Sequence, residues 1–217
     1  PVDIIATPAV TLMAGVAVAQ FIGPAIAAMM TEIGALIMWA VELQPLLMGM
    51  VVAVLMGIIL TLPISSAAIA IALSLSGLAA GAATVGCCAQ MVGFAVMSFK
   101  ENRWAGLLSQ GLGTSMLQMP NIVKNPKIWI PPIVASAVLG PVATLGFKMS
   151  NIPSGAGMGT SGLVGQVGTI NAMGNAPSVW LAIGLLHFVL PALITLAVAM
   201  LLRKKGWIKD GDLKLDV

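Results

Sequence analysis

The stretch Val179–Leu202, VWLAIGLLHFVLPALITLAVAMLL, holds no charged residue and stops at Arg203-Lys204-Lys205. A helix rises about 1.5 Å per residue, so this stretch can cross the roughly 30 Å of hydrocarbon in a bilayer. The rest of the chain has the same character. Hydrophobic residues make up 59% of the 217 and charged residues 8%, where a water-soluble domain carries about 25% charged. The mean hydropathy is +1.05. Such a chain cannot cover a water-facing surface, so lipid is its solvent. The fold class that this implies is all-α, a polytopic bundle of transmembrane helices. The 24 glycines, with many Ala and Ser, suit close helix–helix approach in a bilayer.

Working back along the chain, Pro8–Met30 is a first apolar run, with Pro24 placed to kink it. Thr31–Val41 is shorter and flanked by Glu32 and Glu42. Leu46–Leu62 is the next crossing, broken by Pro63-Ile64-Ser65-Ser66, where Ser65 and Ser66 can cap the next helix. Ala67–Phe99 is too long for one upright helix. It divides into a short element to Ser76 and a crossing that ends near Phe99, before Lys100-Glu101-Asn102-Arg103. Trp104–Met119 is apolar but short and contains Gly and Gln. After Lys124-Asn125-Pro126-Lys127 comes the crossing Ile128–Phe147. Ser150–Gly174 is uncharged and Gly-rich. The chain opens Pro1-Val2-Asp3 without Met and reads as part of a longer protein.

Basic residues mark the cytoplasmic side. With the C-terminus in the cytoplasm, and with Trp104–Met119 and Ser150–Gly174 each dipping in and returning to one side, nine of the ten basic residues face the cytoplasm, all but Lys148. The two dips are assigned partly to reach this distribution. The expected bundle therefore carries two re-entrant helical hairpins.

Those two segments share a motif. Gly111-Leu112-Gly113-Thr114-Ser115-Met116-Leu117-Gln118 aligns with Gly157-Met158-Gly159-Thr160-Ser161-Gly162-Leu163-Val164 at five of eight positions, as GxGTSxL. Paired Gly-interrupted segments in two halves of a membrane protein point to a transporter's binding site. Glycine permits non-helical backbone, and the N–H and C=O groups so freed are tolerated at membrane depth only where protein or a watery cavity satisfies them. The neighbouring hydroxyls can donate to and accept from a polyol. The candidate contacts are Thr160, Ser161 and Gln166 from one segment, Thr114, Ser115 and Gln118 from the other, and Glu42 and Gln90 to complete the site. Glu42 reads equally as a headgroup-level residue, and Gln90 equally as interhelical glue. His187 reads as a packed imidazole or as a proton or substrate partner.

The adjacent Cys87 and Cys88 read as small apolar residues. Metal-ligand spacing is missing, as are a Walker A sequence and a Ser-His-Asp pattern, and basic residues confined to loops argue against nucleic acid. The expectation is no cofactor, no metal and no catalytic residue in this chain.

The strings LPISSAAI (Leu62–Ile69), AATVGCC (Ala82–Cys88), QGLGTSMLQ (Gln110–Gln118) and GAGMGTSGLVGQ (Gly155–Gln166) resemble the EIIC-type membrane proteins of the bacterial phosphotransferase system, in the branch with perfringolysin O regulator-like proteins. The resemblance implies a multi-pass protein of the bacterial cytoplasmic membrane, usually a homodimer, with re-entrant hairpins around a sugar site. It divides the chain into an EIIC-like domain over residues 1–202, lacking an N-terminal part, and a short cytoplasmic tail, 203–217. It also implies separate EIIA and EIIB proteins that carry the phosphoryl group, so any phosphotransfer chemistry resides outside this chain. Other EIIC branches hold the sugar with a His and with a Glu in a Gly-Ile-Thr-Glu-Pro motif. Here the hairpin reads Gly159-Thr160-Ser161-Gly162, and neither residue carries over. The resemblance leaves two functions: a transporter subunit for a small sugar-like solute, or a membrane sensor or regulator that keeps the fold without transport.

Overall fold

A computed structural model of the chain describes residues 44–215 continuously and scattered positions between 7 and 32. The chain falls into two units, Pro1–Met38 and Trp39–Val217. In the first, every described position is helical, Glu32 included. In the second, helix α1 (Pro45–Thr61) begins with proline in its first turn, where a missing N–H is harmless. It ends before Pro63, as the sequence predicts. Ser65 caps α2 (Ser66–Ala72), its hydroxyl accepting from the Ala68 amide at 3.2 Å. Then come α3 (Gly77–Met97), α4 (Phe99–Leu108), α5 (Met119–Lys124), α6 (Ile130–Pro141), the single turn α7 (Pro153–Ala156), α8 (Val164–Met173), α9 (Pro177–Ile183) and α10 (Leu190–Lys204). No strand occurs among the described residues, which fits the all-α expectation.

Among the described residues, three helical stretches are long and apolar enough to cross a membrane. They are α3, of 21 residues, Pro126–Gly146, built around α6, also of 21, and Pro177–Lys204, which joins α9 and α10, of 28. α1 is also apolar and, at 17 residues, somewhat shorter. Nearly all of α3 is buried, with α1, α6 and α10 packed around it. Lipid tails are as apolar as leucine, so close packing and hydrogen bonds must hold such helices together. Glycine makes the packing possible. A Cβ on Gly86 of α3 would overlap the Ala53 carbonyl of α1, and one on Gly140 of α6 would overlap the Gly49 carbonyl. Leu139, Ala143, Met149, Val179 and Leu186 fill one end of the interior around Val85. Phe94, Ile122, Ile128, Ala199 and Leu213 fill the other. Leu181, Leu193, Met200 and Leu201 of the last span stand exposed, as a lipid-facing surface should.

The segment after Lys204 is short and hydrophilic in sequence. It folds back on the helix ends, with Ile208 and Leu213 buried. Arg203 joins it to α4 by ion pairs to Glu101 and Asp210, both 2.9 Å.

Candidate functional site

Both GxGTS motifs interrupt helices. In the first, α4 runs into a wide turn, Ser109–Gly113, and the chain becomes extended at Thr114 before the tight turn Ser115–Gln118. In the second, the backbone leaves the helix after Ala156 and resumes it at Val164. Gly159 and Gly162 take φ of +53° and +52°, where only glycine is unstrained. Leu163 takes +60° without that freedom. Strain of this sort persists where the surroundings enforce it, and it gathers at functional sites.

The two interruptions meet. The buried Thr160 hydroxyl donates to the Gly111 carbonyl at 2.5 Å, and a sulfur contact to Met91 of α3 lies at 3.6 Å. The Gly157 carbonyl, freed by the second break, accepts from Ser66 at 2.6 Å. Protein hydroxyls thus satisfy the backbone groups that the breaks release, the condition for irregular backbone inside a membrane protein.

The other predicted residues divide into groups. Ser115 Oγ lies 2.9 Å from Thr61 Oγ1, which donates to Gln90 Oε1 at 3.4 Å. Trp129 Nε1 donates to the same oxygen at 2.9 Å. Gln90 Nε2 is buried without a partner among the described residues. Gln166 Nε2 pairs with His187 Nδ1 at 3.0 Å and approaches Cys88 Sγ at 3.5 Å. His187 is therefore packed against a side-chain amide of α8, within a wide turn of the last span, Gly184–Val189. Thr114 is half-buried and receives the Met116 amide at 3.1 Å, and Ser161 is half-buried at the start of a tight turn. Gln118 stands apart from these, tied to Gln110 and to the C-terminal segment. Glu42 lies outside the described residues. Cys87 and Cys88 are free and buried, as apolar filler would be.

Sequence reasoning alone misses Asn151. This buried amide donates to Thr84 Oγ1 at 2.6 Å, to the Gly165 carbonyl at 2.9 Å and to Thr169 Oγ1 at 3.2 Å. Its own oxygen accepts from the Ile152 amide at 2.7 Å. Asn151 thereby ties both arms of the second segment to α3. The one signal in the sequence is an amide at the head of an uncharged, glycine-rich stretch. Thr61 and Trp129 escape notice too, since each reads as ordinary span composition.

Membrane-length helices around a small-residue core, with two helix breaks that meet at the buried Thr160, define a helical membrane protein. The family model described as Phosphotransferase system, EIIC matches residues 1–215, and the chain belongs to that family. It is thus a membrane subunit of the sugar-transporting kind, whose members work with a sugar substrate and EIIA and EIIB partners. Membership does not favour the non-transporting regulator. No curated protein and no solved structure matches the chain.

Proposed function

We propose that this protein binds a small, neutral, sugar-like solute between its two GxGTS segments and passes it by alternating access. The observation that supports this most is the Thr160–Gly111 hydrogen bond, which brings two separately encoded helix breaks to one place. Both segments act as re-entrant hairpins in this reading. Thr160, Ser161 and Gln166 contact the solute from one side, and Thr114 and Ser115 from the other. Gln90 Nε2 lacks a partner among the described residues and Glu42 adjoins α1 in sequence; they complete the site. Hydroxyls and amides, with no cation among the described members of this set, suit a neutral polyol better than an anion. Gln118 holds the first segment in place instead of touching solute in this conformation.

The reading places the protein as a homodimer in the bacterial cytoplasmic membrane, C-terminus inside, in the perfringolysin O regulator-like branch. The charge pattern supports that orientation, since nine of the ten basic residues then face the cytoplasm. Uptake of a panel of labelled sugars by cells expressing Thr160→Val and Ser161→Ala tests the site. The apparent affinity for the transported sugar should fall at least about tenfold, the effect of losing one good hydrogen bond to a buried ligand. Unchanged affinity in both variants would remove these residues from the site.

A further inference from the structure

The flanks of the first GxGTS segment converge on a single peptide group far along the chain. Asn102 Nδ2, before the motif, donates to the Leu213 carbonyl at 2.8 Å. Gln118 Nε2, after it, donates to the same oxygen at 3.1 Å. Asn102 Oδ1 also receives the Leu215 amide at 2.9 Å, and Asn121 Nδ2 donates to the Lys214 carbonyl at 2.9 Å. Leu213 is itself fully buried.

From this point a chain of amides runs into the motif. Gln118 Nε2 donates to Gln110 Oε1 at 2.8 Å, and Asn121 Nδ2 fills Gln118 Oε1 at 2.9 Å. Gln110 Nε2 donates to Ser98 Oγ at 2.8 Å and to the Gly106 carbonyl at 2.9 Å. Every donor and acceptor atom of the two buried glutamines has a partner, as a rigid buried polar network requires. Gln110 immediately precedes Gly111, whose carbonyl receives Thr160.

We propose that the segment Leu213–Leu215 is a clasp that sets the position of the first GxGTS segment, with Asn102, Gln110 and Gln118 as its positioning residues. The clasp closes the two ends of the motif against each other and so presents Gly111 to Thr160. This rests on the reading of the GxGTS junction as the solute site. It adds that the site's geometry depends on a stretch of chain outside every membrane span. Asn125 supplies the contrast. It anchors the stretch just before the clasp, through the Trp207 carbonyl at 3.0 Å and Asp212 at 2.8 Å, and its side chain makes no bond to Gln110, Gln118 or residues 213–215.

Cys87 and Cys88 provide a native reporter. They are buried beneath the second segment, where Gly159 packs on Cys87 and Gln166 reaches Cys88. In native membranes the rate of their modification by N-ethylmaleimide measures how often the junction opens, and it needs no solute. Asn102→Ala with Gln118→Leu should raise that rate at least about fivefold, because opening would no longer break the clasp's hydrogen bonds. Asn125→Ala should stay within about twofold of the parent, being a tail anchor outside the relay. Gln118→Leu alone, expected to act in the same direction, serves if the double variant does not reach the membrane. A parental rate in the relay variants overturns the clasp, as does an equal acceleration by Asn125→Ala. Failure of the solute site would show separately, in the uptake of Thr160→Val.

Discussion

The hydroxyl of Thr160 donates to the carbonyl of Gly111, forty-nine residues earlier, and this bond joins the two copies of one motif. Thr160→Val leaves the part-buried Gly111 carbonyl without its donor, a loss of about 1 kcal/mol. Thr160→Ser keeps the donor and is expected to lose less. Thermal unfolding in detergent should rank them parent, serine, valine, and a valine variant as stable as the parent would contradict the bond.

Glycine at the crossings of α3, α1 and α6 yields a second expectation. Gly86→Ala drives a methyl into the Ala53 carbonyl, a backbone overlap relieved only by helix separation, and overpacking of this type costs about 1–3 kcal/mol. Gly184→Ala meets no atom within 4 Å and removes a helical glycine, so it should be neutral or stabilising by up to about 1 kcal/mol. A lower melting temperature is expected for Gly86→Ala and an unchanged or higher one for Gly184→Ala. Equal shifts would mean that these crossings are not set by close contact.

Asn151 gives a third. Asn151→Asp substitutes an acceptor for the amide that donates to Thr84, Gly165 and Thr169, and a buried charge without a partner is strongly unfavourable. The variant should accumulate poorly in the membrane and melt well below the parent. Full expression with parental melting would show that this amide does not tie the second segment down.

The divisions of the chain are legible in the sequence because proline, glycine and charge mark them locally. Pro63 ends α1, Gly77 starts α3, and Lys100 follows the last residues of that span. The motif breaks are legible for the same reason, glycine being the residue that frees backbone from a helix. The bonds that join the breaks are not. Thr160 with Gly111, Gln118 with Leu213 and Asn151 with Thr84 are paired across long stretches of chain, and such bonds leave no periodic trace. The C-terminal segment misleads for a related reason. Its charges look solvated, yet its contribution lies in backbone groups: the Leu213 and Lys214 carbonyls accept from the side-chain amides of Asn102, Gln118 and Asn121, and the Leu215 amide donates to Asn102 Oδ1.

Asp210 supplies a pH dependence. A hydrogen bond and the charge of Lys100, with help from Arg203, hold its carboxyl below the ordinary 3.8. A depressed carboxylate stabilises the fold fully above its unfolded value and loses that effect as pH falls through the folded one. Asp210→Asn should therefore lower the melting temperature slightly at neutral pH, equally down to about pH 4, with the difference vanishing below that. The group is exposed, so the difference should also shrink at about 1 M salt, where charges are screened beyond roughly 3 Å. A difference that persisted in strong acid would assign the effect to something other than this ion pair.

The most direct measurement is a structure of the protein in lipid, determined with whichever sugar the uptake panel selects. The expected result is sugar density between the GxGTS segments, within hydrogen-bonding reach of Thr160, Ser161 and Ser115. Sugar density elsewhere in the bundle, with the Thr160–Gly111 junction closed and dry, would contradict the proposed site.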